Sequence, residues 1–279
     1  MIIQTLPEEL TKINHTEIQL YEYHISQSLE KNKVQLSTNV FSFLIEGTKE
    51  LITNNSSTTI ESDKFLIIKS GNCLMSENIS LSQNYKSMLL FFSDDMLKNF
   101  IDKYGLKTDS KATLSDFLIC DYDPTIIDFV KSLESLKQQP TDFLEKILPI
   151  KFEEVLLYLV QKKGANFLSE FINTNKKTSD NFVNIVKKNA LNNLKINEIA
   201  FLCNMSTSTF KRYFEKEFKT SPNRWFLEKR LEHATYLLNS KNLRPSDIYH
   251  QVGFENLSSF IQAFKHQFGQ TPKQWQISN

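Results

Sequence analysis

A thirteen-residue pattern occurs twice near the C-terminal end of the chain, and it constrains the fold more than any other feature. FKRYFEKEFKTSP (Phe210–Pro222) is matched by FIQAFKHQFGQTP (Phe260–Pro272). Phe210, Phe214, Phe218 and Pro222 return 50 residues later as Phe260, Phe264, Phe268 and Pro272. Phenylalanines four residues apart share one face of an α-helix, so each copy is a helix with an aromatic stripe that packs inward. Stacking of those rings on nucleic-acid bases is the alternative, and the spacing favours a core. Upstream, Ile199 with Ile248, Asn204 with Gly253, and Met205 with Phe254 correspond at an offset of 49. One residue is therefore inserted between the two helices of the second copy.

Each copy has the layout of a helix-turn-helix. In the first, Ile196–Cys203 is a short helix and Asn204 makes the turn, where a positive φ is often needed and Asn tolerates it. Ser206 is the N-cap of the following helix, Thr207–Phe218. Ser208, Lys211 and Arg212 lie on the side away from the phenylalanines. In the second copy Pro245–Val252 is the first helix, with Pro245 suited to its first turn. Gly253 makes the turn, and Ser258–Phe268 is the second helix. A long helix, Pro222–Leu238, joins the units and offers Trp225, Leu227, Leu231, Ala234, Leu237 and Leu238 for packing.

The segments NEIAFLCNMSTSTFKRYFEKEFKTSP, RWFLEKRLEHATYLL and DIYHQVGFENLSSFIQAFKHQFGQTPKQW resemble the C-terminal domain of the AraC/XylS family of bacterial transcription regulators. The resemblance spans about Phe182 to Trp275. It implies that the second helix of each unit enters the major groove of double-stranded DNA, where exposed side chains meet base edges. The base-reading residues it implies are Ser208, Lys211 and Arg212 in the first unit, and Leu257, Ser258, Ile261 and Gln262 in the second. Arg or Lys pairs with guanine and Gln with adenine, whereas Leu and Ile can only touch a thymine methyl. Specificity should therefore lean on the first unit. Thr207, Thr209, Lys216, Arg224, Lys229, Lys265 and Lys273 are the implied phosphate contacts. Arg230, in the joining helix, is expected to form a structural salt bridge. Two residues depart from the family pattern: Lys219 stands where many members have Gly, and Tyr249 where a small residue usually packs. Activation, with RNA polymerase as a partner, is the commoner role in the family.

The charge distribution agrees. Asp180–Asn279 holds 14 Lys/Arg against 8 Asp/Glu, a net of +6, while the remainder holds 19 against 24, a net of −5. A basic third behind an acidic remainder suits a nucleic-acid surface attached to something else.

Upstream the pattern is different. Val40–Ile45, Glu50–Thr53, Thr58–Ile60, Phe65–Lys69 and Lys86–Phe92 read as strands, with Glu50–Ile60 a hairpin around NNSS. A short helix, Met96–Tyr104, follows the N-cap pair Ser93–Asp94. From Asp123 the period is helical. Pro124–Lys137 places Ile127, Val130, Leu133 and Leu136 on one face. Phe143–Gln161 places Phe143, Ile147, Val155, Leu156, Leu159 and Val160 similarly, with Pro149 a kink or break. Phe167–Thr174 is a further short helix. Asn173–Asp180 is polar and reads as the interdomain linker.

The expected fold class is α+β. An N-terminal strand domain, a sandwich or a β-barrel (cupin-like, by the family resemblance), carries flanking helices. An all-α C-terminal domain has two helix-turn-helix units joined by a long helix. The expected domains are 1–172, a strand-rich sensor with a helical dimerisation region at about 123–172; 173–180, the linker; and 181–279, the DNA reader. The helices of 123–172 either form a homodimer seam or simply cover the strands. Two signals fit the N-terminal domain: a small apolar or carboxylate-bearing effector held inside it by Phe41, Phe43, Phe65, Phe91 and Phe92, or a regulatory protein docking on its surface.

Other classes have less support. Cys73, Cys120 and Cys203 are far apart and odd in number, which argues against a disulfide framework or a zinc site and fits a reducing compartment. His15, His24, His233, His250 and His266 show no metal-ligand spacing, and the six glycines form no phosphate loop. No cofactor is expected. No apolar run approaches the ~18 residues of a membrane span, and the N-terminus lacks the charge and apolar run of a signal peptide. The expectation is a soluble, cytoplasmic, non-enzymatic protein. The alternative is a cupin-type enzyme fused to a DNA-binding tail, for which Cys73 in SGNC is the one conceivable nucleophile.

Overall fold

The computed structural model describes residues 3–10, 17–108, 115–172, 178–240 and 243–278. The chain divides into two compact units, Met1–Lys176 and Lys177–Asn279. Of the expected linker Asn173–Asp180, residues 173–177 lie outside the described residues. A helix already begins at Thr178, so the last three linker positions are helical.

Among its described residues the N-terminal unit opens with nine strands: β1 (Ile3–Leu6), β2 (Ile18–Ile25), β3 (Leu29–Leu36), β4 (Asn39–Glu46), β5 (Thr48–Ile52), β6 (Ser57–Ile60), β7 (Lys64–Ile68), β8 (Gly71–Asn78) and β9 (Tyr85–Phe92). Then come α1 (Asp94–Lys103), β10 (Phe117–Asp121), α2 (Pro124–Ser135), α3 (Thr141–Lys163) and α4 (Asn166–Ile172). The strands form two five-stranded sheets, ordered β1-β3-β8-β5-β6 and β10-β7-β4-β9-β2. The pairing is antiparallel except between β1 and β3. The expected NNSS hairpin is β5–β6, with Ile52 opposite Ser57. Each sheet keeps its own edge strands, so the domain is a two-sheet sandwich and not a closed barrel.

The central strand β4 shows how the layers stack. Its first six residues, Asn39–Leu44, are all buried, and successive side chains point to opposite faces. Val40 and Leu44 join Val34, Leu51, Met75 and Leu89 in the core between the sheets. Phe41 and Phe43 face the other way, where Phe129 of α2 and Phe152 of α3 cover them. A strand buried on both faces is a continuous apolar run, which is how NVFSFL reads.

The helices begin where local chemistry says they should. Ser93 caps α1 by accepting from the Met96 N–H at 3.1 Å, and Asp123 caps α2 by accepting from the Ile126 N–H at 3.0 Å. Pro149 sits inside α3 without breaking it. The faces these helices bury match expectation at Val130, Leu133, Leu136, Val155, Leu156 and Leu159 and differ at other positions. In α2 the buried residues are Ile126, Phe129, Val130 and Leu133, while Ile127 is 43% exposed. In α3 they are Leu148, Phe152, Val155, Leu156 and Leu159, and Phe143 is 43% exposed. Apolar residues occur all round α3, so its periodicity cannot select the covered face.

The C-terminal unit is helical: α5 (Thr178–Lys188), α6 (Ile196–Leu202), α7 (Thr207–Phe218), α8 (Pro222–Ser240), α9 (Pro245–Ile248), α10 (Leu257–Phe268) and α11 (Pro272–Ser278). Two separate apolar cores lie within it. The first gathers Phe182, Ile199, Phe210, Phe214 and Phe226; the second gathers Leu231, Leu238, Ile248, Phe260 and Phe264. Both phenylalanine stripes are thus core, and α8 supplies residues to each.

Candidate nucleic-acid interface

The two helix-turn-helix units repeat in their hydrogen bonds as well as in their residues. Glu198 accepts from the Lys195 N–H at 2.7 Å, and Asp247, 49 residues on, accepts from the Arg244 N–H at 3.3 Å. Each carboxylate satisfies a donor that the start of a helix leaves orphaned. Asn204 and Gly253 have φ of +56° and +78°. The next N–H then turns back: Met205 donates to the Ala200 carbonyl and Phe254 to the Tyr249 carbonyl, both at 2.9 Å. The second helix follows a side-chain cap, Ser206 to the Thr209 N–H at 3.2 Å and Asn256 to the Ser259 N–H at 2.9 Å. The caps are 50 residues apart and the turns 49, which places the inserted residue at Glu255.

Two details differ from expectation, and the two residues that depart from the family pattern find their places. Helix α10 starts at Leu257, because Asn256 caps it, not at Ser258. Helix α9 stops at Ile248, short of Val252, and the chain continues in hydrogen-bonded turns such as Val252 N–H to Ile248 O at 3.0 Å. Tyr249, at the end of that helix, is half-buried against the second core, where a small residue would leave the helix unobstructed. Lys219 takes the left-handed conformation at the end of α7 (φ +56°), as Gly269 does after α10 (φ +77°). That conformation suits Gly and costs a residue with a Cβ roughly 1 kcal/mol or more.

Packing of the phenylalanines decides what the outer faces show. With Phe210 and Phe214 fully buried, Ser208, Lys211 and Arg212 are exposed together on α7. Lys211 and Arg212 have no ion-pair partner among the described residues. On α10, Ser258 and Gln262 are exposed; Ile261 is half-buried, and Leu257 is half-buried against the second core. Leu257 therefore offers less of itself to a groove than expected. Thr207, Lys216, Lys265 and Lys273 are exposed, and Thr209 is half-buried, its hydroxyl 2.9 Å from Ser206 Oγ. Arg224 pairs with Glu228 at 2.9 Å and Lys229 with Glu232 at 2.6 Å. Exposed pairs of this kind are worth little, so both cations can exchange their partners for phosphate. Among the described residues Arg230 makes no salt bridge; it bonds the Gly253 carbonyl and Asn193, contacts that no spacing in the sequence signals.

A family model described as a helix-turn-helix domain matches residues 195–277, and one described as the ExsA N-terminal regulatory domain matches 39–169. The chain is 25% identical over 240 residues to the HTH-type transcriptional regulator ExsA of Pseudomonas aeruginosa, covering 82% of each chain. It is 27% identical over 192 residues to the DNA-binding dual transcriptional regulator Rns of Escherichia coli, covering 65% of this chain and 68% of that one. It is 27% identical over 161 residues to the transcriptional activator AggR of Escherichia coli, covering 57% and 56%. The chain belongs to the AraC/XylS family.

As an AraC/XylS regulator, the protein is a DNA-binding transcription factor with an N-terminal regulatory domain, not an enzyme. The thiol chemistry agrees. Burial pushes Cys73 and Cys203 up to about 12 and Cys120 up to about 11, so none is a thiolate nucleophile near neutral pH. The expected effector pocket is not assembled. Phe41, Phe43, Phe65 and Phe92 pack under the helices, and only Phe91 faces the space between the sheets. That space holds a cavity of about 20 Å³ bordered by Val40, Ser42, Lys49, Met75 and Phe91. Among the described residues no helix is long and apolar enough to cross a membrane.

Proposed function

We propose that α7 and α10 of this regulator enter two adjacent major-groove segments and that α7 is the principal reader. The observation that carries this is the exposed trio Ser208, Lys211 and Arg212 on a helix held by its own buried phenylalanines. Lys211 and Arg212 take guanine. On α10, Gln262 takes adenine, with Ser258 beside it and Ile261 and Leu257 limited to apolar contact. Thr207, Thr209, Lys216, Arg224, Lys229, Lys265 and Lys273 hold the backbone. Arg212→Ala should weaken binding to a duplex selected by the wild-type chain by ~1–3 kcal/mol and relax preference at one or two positions. Lys216→Ala should weaken all sequences alike and lower the salt slope by about 1. Unchanged affinity in Arg212→Ala would remove it from the groove.

The name of the transcriptional activator AggR supports activation; on that reading the protein acts on RNA polymerase, in the cytoplasm. The N-terminal unit (1–172) is the regulatory half, and its signal arrives at its surface. A cavity of about 20 Å³ takes a water molecule, whereas ligand sites are on the order of 300–1,000 Å³. This argues against a small molecule between the sheets; the hollows of about 470 and 510 Å³ in this unit lie instead beside its helices, near Phe152 of α3 and Val130 of α2, so the protein-partner reading rests on the exposed surface of α3. Self-association belongs to the same surface. Phe143, Ile150 and Leu157 of α3 recur every seven residues and are 43%, 60% and 39% exposed. A seven-residue apolar repeat on the uncovered side of a 23-residue helix suits a helix-pair seam with a second copy. Native mass spectrometry of the full chain should find a dimer carrying no small molecule, and Ile150→Asp should find a monomer. A retained effector, or a dimer that survives Ile150→Asp, would refute the corresponding half of this reading.

A further inference from the structure

Arg230 lies on α8 between Phe226, which packs in the first core, and Leu231, which packs in the second. Its guanidinium connects the two units. Nη1 donates to the main-chain oxygen of Gly253 at 2.9 Å and to Asn193 Oδ1 at 3.3 Å. The guanidinium carbon stands 5.6 Å from the centre of the Phe254 ring. Asn193 belongs to the segment that leads into α6, and Gly253 and Phe254 to the turn before α10. Close approach makes the joint tight: a Cβ on Gly253 would stand 2.5 Å from Asn193 Oδ1 and 2.6 Å from Arg230 Nη1. The left-handed backbone of Gly253, φ +78°, thus lets the turn of the second unit press on a side chain of the first, with Arg230 bonded to both.

The two cores are separate and apolar, and apolar packing is non-directional. A charged donor shared between a carbonyl and an amide oxygen is directional. From this juxtaposition we infer that Arg230 is a positioning residue: it fixes the separation and angle of α7 and α10, and so makes the protein discriminate the distance between its two DNA segments. The inference rests on the reading that both helices dock. One base pair added between the segments shifts the second by about 3.4 Å and turns it by about 34°. A fixed pair of helices cannot follow that change, and a loosened pair can.

The test uses the full chain and a duplex selected by it from a randomised pool. Versions of that duplex have one base pair inserted or removed between the protected segments, or keep only the segment under α7. Wild type should prefer the original spacing. Arg230→Met, which keeps the aliphatic stem, should reduce that preference about tenfold, the scale of one charge-assisted hydrogen bond. Its affinity for the single-segment duplex should stay within about twofold, since α7 and its core are untouched. Arg230→Lys, whose ammonium sits on a flexible stem without the planar fork, should recover part of the preference, and Gly253→Ala should lose it from the other side of the joint. An unchanged spacing preference in Arg230→Met overturns the inference. So does a parallel loss of single-segment binding and melting temperature in both Arg230 variants, which would be ordinary structural damage. A wild type that binds the single segment as tightly as the complete duplex would instead refute docking by both helices, and the inference with it.

Discussion

Phe214→Ala should strongly destabilise the DNA-reading unit, and DNA binding should fall with the fraction that stays folded. Phe214 is fully buried, with ring centres of Phe218 at 4.4 Å, Phe210 at 5.6 Å, and Trp225 and Phe226 each at 5.8 Å. Truncating such a ring removes its transfer energy and leaves a cavity that rigid neighbours cannot fill, a loss of ~3–5 kcal/mol. A domain of this size is stable by only ~5–15 kcal/mol. The melting temperature of the unit should fall by at least about 12 °C. Lys211→Ala, on the opposite face of the same helix, should leave melting unchanged while weakening DNA binding. Thermal melts of the two variants beside their binding curves separate these roles. If Phe214→Ala abolished binding with melting unchanged, the ring would be a nucleic-acid contact and the packing account of the repeat would be wrong.

The second large effect lies in the other unit. Lys49 and Glu77 form an ion pair between the sheets, Nζ to Oε1 at 3.4 Å, with side chains only 2% and 7% exposed. Tyr23 donates to the other Glu77 oxygen at 3.1 Å. Removing water from two charges is costly, and the pair persists because each partner compensates the other. Glu77→Leu leaves the Lys49 ammonium buried among Met75, Tyr85 and apolar strands, and should cost ~3–5 kcal/mol. Lys49→Met combined with Glu77→Leu removes both charges and should be far less damaging than Glu77→Leu alone. Chemical denaturation of the two singles and the double forms a complete cycle. Additive losses would show that the two charges act independently and would refute the compensation argument.

How much of this was legible in the residues depends on range. Phenylalanines at four-residue spacing state both the helix and its buried face, because every member of the stripe lies within three turns. The turns at Asn204 and Gly253 and the cap at Ser206 are local in the same sense, so the α7 face with Ser208, Lys211 and Arg212 stands where the pattern places it. The α10 side is less clear: one inserted residue moves the cap to Asn256 and draws Leu257 partly into the core.

Where a segment offers two apolar faces, the pattern is silent. Helix α3 has apolar residues all round, and only the sheet beneath it chooses Phe152 for the core and leaves Phe143, Ile150 and Leu157 outside. Strand β4 is apolar on both sides. Helices far along the chain claim Phe41 and Phe43, and the opposite sheet claims Val40 and Leu44, which is why the aromatic pocket expected of those strands does not form.

Polar partners are the extreme case. Lys49 and Arg230 look like ordinary surface cations in sequence, since their partners lie 28 and 23 or more residues away. By itself the sequence determined the paired helix-turn-helix, its turns and the cations on the outer face of α7, because hydrogen bonds and packing within a few turns specify them. Only the tertiary structure decided which apolar faces are covered, that Lys49 is buried with Glu77, and that Arg230 joins the two helix-turn-helix units, because those depend on atoms that distant segments bring together.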